Sequence, residues 1–89
     1  MIFITLFKDK GKPTKETIAK ANKLIDKFVK EGGKILDIYW TLGRYDTVFI
    51  YEAKNEKAAM KALMRAGDLT SSETLVAIPR KEAVKFLEK

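Results

Sequence analysis

The chain contains no cysteine and no histidine. Their absence excludes disulfides, thiol nucleophiles, imidazole acid–base chemistry and the common zinc sites. Glutamine is missing as well, and asparagine occurs only as Asn22 and Asn55. With Lys and Glu abundant, this scarcity of thermolabile residues resembles the composition of proteins from hot environments. Arginine is scarce: Arg44, Arg65 and Arg80 are the only three, so the net charge of +6 is built almost wholly from Lys. Lys reads phosphate less specifically than Arg. A solvated, solubilising surface therefore explains the surplus more simply than nucleic acid does, and nucleic acid is a disfavoured partner. No apolar run reaches the length of a membrane span. The opening MIFITLF lacks a basic n-region and a small-residue cleavage site, so it does not read as a signal peptide. The expectation is a cytoplasmic chain with no membrane partner.

What is present is the composition of one small globular domain over residues 1–89, with 46% hydrophobic and 34% charged residues. The chain is organised around residues 34–53, KILDIYWTLGRYDTVFIYEA. Two runs rich in Ile, Tyr, Trp, Thr, Val and Phe flank Gly43-Arg44, which reads as a β-hairpin. A two-residue turn beginning with Gly, which adopts positive φ without steric cost, pairs Leu42 with Tyr45, Trp40 with Thr47 and Ile38 with Phe49. The period of two then places Leu36, Ile38, Trp40, Leu42, Tyr45, Thr47, Phe49 and Tyr51 on one face. Ile35, Asp37, Tyr39, Thr41, Asp46, Val48, Ile50 and Glu52 take the other. A longer turn with a bulge would reassign the faces of one strand.

The remaining elements follow from local signals. Residues 2–7 form a strand apolar on both faces, which predicts burial of both. Thr14 caps a helix running to about Glu31, where Gly32-Gly33 ends it. Ile18, Ala21, Leu24, Ile25, Phe28 and Val29 fall on one arc of that helix, and Lys20, Lys23, Lys27 and Lys30 on the opposite one. Asn55 caps a second helix ending near Gly67, with Ala59, Ala62, Leu63 and Ala66 inward. Met60 and Met64 sit on its shoulder, as boundary core or as contacts to another chain. Residues 68–72 read as a loop, 73–78 as a fourth strand stopped by Pro79, and 80–89 as a short C-terminal helix.

Strand, helix, strand, strand, helix, strand gives an α+β class and a ferredoxin-like βαββαβ sandwich. Its four-stranded antiparallel sheet has the first and third strands central and the short C-terminal helix trailing. Two helices cover one sheet face, yet both faces carry apolar side chains. The aliphatic set suits packing under helices, which leaves the aromatic set, Trp40, Phe49 and Tyr51, for the uncovered face. A contiguous exposed patch of that kind is rare on a soluble monomer. The cover is either a second copy of the chain or the C-terminal helix folding back, and so short a helix makes a poor lid for a whole sheet. The expectation is a homodimer or higher even oligomer, sheet to sheet, with Trp40, Phe49 and Tyr51 at the interface.

Leu42-Gly43-Arg44-Tyr45-Asp46, followed by hydrophobic residues and Glu52-Ala53, resembles the signature of the GYD domain family. The fourth strand, with Glu73-Thr74-Leu75 and Ala77-Ile78-Pro79, and the opening strand running into a loop with Gly11 resemble the same family. The resemblance spans the whole chain and implies a ferredoxin-like fold of the dimeric α+β barrel type. It carries over no catalytic residues.

Three function classes compete. The first is a small ligand-binding or regulatory module, with Trp40, Arg44, Tyr45, Asp46 and Tyr51 as candidate ligand-binding residues around the barrel mouth. The corner from Gly43 to Asp46 has a purely structural reading too, in which it only fixes the register. The second is a cofactor-free enzyme whose acid or base would be Asp37, Asp46, Glu52 or Tyr39; Asp37 and Glu52 serve equally well as edge charges against strand addition. The third is RNA binding of the RRM kind, stacking bases on Phe49 and Tyr51. A weaker fourth idea is an anion held by the Lys8–Lys15 loop, although that loop lacks an Arg. No catalytic set, metal cage or cofactor stands out.

Overall fold

A computed structural model describes residues 1–88. It contains β1 (Ile2–Asp9), α1 (Lys15–Lys30), β2 (Lys34–Trp40), β3 (Thr47–Glu52), α2 (Glu56–Arg65), β4 (Thr70–Ala77) and α3 (Arg80–Ala83), with a 3-10 turn at Val84–Leu87. Lys89, the last residue of the predicted C-terminal helix, lies outside the described residues. The sheet is antiparallel with order β2-β3-β1-β4, so β1 and β3 are central as expected. This is the ferredoxin-like α+β architecture.

Local chemistry sets the helix ends. Thr14 Oγ1 accepts from the Thr17 N–H at 3.1 Å, and Thr17 Oγ1 accepts from the Thr14 N–H at 2.8 Å, a reciprocal cap on α1. Gly32, at φ 103°, takes the left-handed residue that ends it. Asn55 Oδ1 caps α2 through the Ala58 N–H at 3.0 Å. The helices are joined at one end by Arg65, whose guanidinium donates to both Glu31 carboxylate oxygens at 2.7 and 3.1 Å. That hydrogen bond holds the Glu31 carboxyl below its ordinary range.

The register corrects the face assignment. A bulge between Ile35 and Asp37 brings Ile35 opposite Tyr51, although simple alternation had put them on opposite faces. Tyr51 is only 4% exposed, with its ring stacked on Phe3 and edge-on to Phe28 of α1. Phe49 and Ile35 pack against the same core, which also takes Ala58, Ala59 and Ala62 of α2. The aromatic residues Phe49 and Tyr51 therefore lie under the helices and not on the uncovered face. The alanines of α2 let its backbone come close, and that leaves room for large rings beneath it. Among these rings the hydroxyls of Thr5, Tyr51 and Thr74 are satisfied by one another, at 2.8 and 2.9 Å.

The ladder places Ile4 between Ile50 and Leu75, and Leu6 between Val48 and Glu73. Tyr39 lies opposite Val48, and Asp37 opposite Ile50. These residues form the other face, which is aliphatic with an acidic rim. No residue of it is buried; Ile4, Leu6, Val48 and Ile50 are half-buried, while Asp37, Tyr39 and Leu75 are exposed. The expected burial of both faces of β1 thus holds only for Phe3 and Thr5.

Smaller differences have equally direct causes. β4 begins at Thr70 and not at Glu73, because β1 continues to Asp9 and keeps pairing, Lys8 with Ser71 and Asp9 with Thr70. Met60 and Met64 are exposed on α2, not boundary core. Among the described residues, no helix is long and apolar enough to cross a membrane.

Candidate functional site

The hairpin connection is longer than two residues: β2 stops at Trp40 and β3 starts at Thr47. Gly43, at φ 109°, supplies the left-handed residue within it. Leu42 and Tyr45 do not pair as a tight turn would require. The Thr41 N–H donates to the Asp46 carbonyl at 2.9 Å, and the Thr41 hydroxyl donates to the Tyr45 carbonyl at 2.7 Å. The loop is wide because its last residues are bound elsewhere. The Asp46 N–H donates to the Phe7 carbonyl, and Asp46 Oδ2 accepts from the Asp9 N–H, both at 2.8 Å. The Tyr45 hydroxyl donates to Glu73 Oε1 on β4 at 2.6 Å, and this bond raises the phenol pKa. The Arg44 guanidinium sits 5.8 Å from the Tyr45 ring centroid, within cation–π range. One corner thus ties the hairpin to β1 and to β4.

Beside this corner, at the same end of the sheet, lies a cleft of about 480 Å³. Its walls come from Trp40, Thr41 and Leu42 of the hairpin, the Asp9–Pro13 loop, Thr17 and Ile18 of α1, and Asp68 and Leu69 before β4. Trp40 is 71% exposed, so most of its ring is free to take a flat apolar or cationic group. Lys10 and Lys12 add positive charge, with Lys10 Nζ donating to the Gly67 carbonyl at 2.6 Å. Asp9, Asp46 and Asp68 add negative charge. Partial burial, and then the nearby Asp46 charge, push the Asp9 carboxyl above its ordinary value. The cleft therefore joins an aromatic wall to polar groups of both signs, an arrangement that orients a small polar molecule. Among the described residues, no three acidic side chains gather in a way that could hold a metal ion.

The sequence candidates divide among four places. Trp40 and Asp46 meet in the cleft. Arg44 and Tyr45 lie at the corner, Tyr45 reaching Glu73, whose ladder partner Leu6 is on the aliphatic face. Tyr51 is in the core, beyond the reach of a ligand. Asp37, Tyr39 and Glu52 share the aliphatic face, away from Asp46. Among the cleft residues that sequence reading missed are Asp68 and Leu69; the Lys8–Lys15 anion reading spans Asp9, Lys10 and Lys12 but gives Asp9 no role. Asp9 and Asp46 are 37 residues apart, and only the pairing of β1 brings them together.

The sequence matches the GYD domain family over residues 2–87. The chain belongs to that family. Its Gly43–Asp46 corner is the stretch that carried the resemblance, and here it works as a three-strand fastening. No curated protein matches the chain. Nineteen chains of solved structures do. One is the crystal structure of FFRP-DM1, with a TM-score of 0.55 at 15% identity, covering 86% of this chain and 97% of that one. At that identity the likeness is one of fold, and this GYD domain shares the ferredoxin-like sandwich with it.

Proposed function

We propose that this GYD domain is a small homodimeric ligand-binding or regulatory module, with the Trp40–Asp46 cleft as its ligand site and a second copy of the chain over its aliphatic sheet face. The observation that carries the reading is the cleft itself. Its volume of about 480 Å³ falls within the span usual for small-molecule sites, and its polar groups converge beside one exposed indole. The helix-free face supports the dimer, since the half-buried row of Ile4, Leu6, Val48 and Ile50 is continuous across both central strands. An enzyme has less support, because its candidate acids and bases are split between cleft and open face. RNA stacking on Phe49 and Tyr51 is contradicted by the position of both rings under the helices.

Trp40 is the chain's single tryptophan, so its fluorescence reports on the cleft directly. Titration with a panel of metabolite-sized amines, acids and phosphates should give at least one saturable shift, and Asp46→Asn should weaken it. Native mass spectrometry of the purified protein should show two chains and retained small-molecule mass. A flat response across the panel, with no retained mass, would defeat the ligand assignment.

A further inference from the structure

After β4 the chain becomes an arm with no clear place in its own protomer. Pro79, at φ −52°, opens α3, and α3 and the following turn bury no residue. Ile78 and Val84 are exposed, Phe86 is 71% exposed and Leu87 is 87% exposed. The molecule's long axis is 52 Å, against about 27 Å for an eight-residue strand; the 41–46 loop continues past the sheet at the Phe7 end and the arm at the Ala77 end. The radius of gyration is 14.2 Å; a compact chain of this length would have about 12 Å. The accessible surface is 7030 Å² for 10.1 kDa. A folded monomer of that mass exposes about 5,300 Å². The surplus of about 1,700 Å² exceeds the roughly 800 Å² that one partner buries in a standard interface.

We infer that the arm, Ile78–Leu87, crosses the two-fold of the proposed dimer and packs its apolar side chains along the margin of the partner's aliphatic sheet face. The inference rests on the dimer reading and adds to it the element that clamps the two copies. A second copy fits the surplus because it takes up both open features at once: each protomer offers one bare face and one bare arm, and a two-fold uses each twice. Charge agrees with this placement. The arm carries Arg80, Lys81 and Lys85 against Glu82, while Asp37 and Glu52 stand on the rim of the face, with Lys34 opposite Glu52. An arm turned back on its own sheet would leave the second sheet unclamped, and ten residues are too few to roof four strands.

The test uses the full chain in three measurements. Sedimentation equilibrium should first show a dimer; a monomer would overturn both the dimer reading and the arm. Phe86→Lys with Leu87→Glu should then raise the dimer dissociation constant about 10- to 100-fold, while the melt of the dilute monomer stays unchanged, since both side chains are exposed in the protomer. An unchanged dissociation constant would overturn the arm alone. Finally, dimers are mixed from a Lys85→Cys protomer carrying a nitroxide and a wild-type protomer labelled with nitrogen-15. Broadening of the Ile4, Ile50 and Leu75 amides of the wild-type protomer supports the crossing. Broadening confined to the spin-labelled protomer's own sheet, seen when that protomer is isotope-labelled instead, places the arm in cis and refutes it.

Discussion

Gly33 is the position where one added carbon should cost most. A Cβ built there would fall inside the van der Waals shell of the Phe28 ring, against three of its carbons. The ring has little room to yield: Phe28 is buried, and its other side meets Tyr51 edge-on at 5.5 Å between centroids. Forcing one extra methyl into a packed site costs about 1–3 kcal/mol. For a domain of this size, a loss near 2 kcal/mol lowers Tm by about 8–16 °C. Gly32→Ala is the natural control. Its Cβ would meet nothing within 4 Å, but the φ of 103° penalises any side chain, by about 1 kcal/mol. The two losses have different origins, so Phe28→Leu should separate them. In that background Gly33→Ala should cost less than about 0.5 kcal/mol, whereas Gly32→Ala should cost what it did before. Urea melts of the six proteins followed by circular dichroism supply the cycle. If Gly33→Ala is equally damaging with Leu at position 28, the close approach of ring and glycine is refuted.

Two acidic groups give pH dependences of opposite sign. Burial and the Asp46 charge raise Asp9 above its ordinary 3.8, so its protonated form is the one favoured by the fold. Its contribution is complete below about 3.8 and is lost as pH rises through the folded value; Asp9→Asn should therefore melt higher than the parent at pH 7 and lose that advantage at pH 3, and a variant that melts lower at pH 7 would contradict this. Glu31 is lowered from 4.5, chiefly by its hydrogen bond to Arg65. Its contribution is present above 4.5 and lost as pH falls through the folded value, so Glu31→Gln should flatten the acid limb of the melting curve, and an unaltered limb would count against the helix clamp.

Element order was legible because its signals are local. Thr14, Asn55 and Gly32 mark helix ends through groups within a few residues, and the caps fall where the spacing put them. The central position of β1 and β3 followed from connection rules alone. Which sheet face meets the helices was not legible. Phe3, Thr5 and Phe7 alternate with Ile2, Ile4 and Leu6, and either row is apolar enough for a core. The choice is made by the bulge at Leu36, and by the fit of Phe28 and the α2 alanines around Phe3 and Tyr51, all long-range contacts. The hydroxyls of Thr5, Tyr51 and Thr74 were the one available hint, since three polar groups on a single face can satisfy one another. The cleft was half legible: Trp40 and Asp46 stood out within the hairpin motif, but Asp9 and Asp68 reach it only through the pairing of β1 with its neighbours.

The bulge on β2 also bears on how such chains can accumulate. β2 is one border of the sheet, and its irregular step at Leu36 spoils the even row of amides and carbonyls that an incoming strand would copy. β4, the opposite border, keeps an unbroken register over all eight residues. A fibril needs two copyable borders on every subunit, whereas this sheet has one, so lateral growth would stop after a single addition.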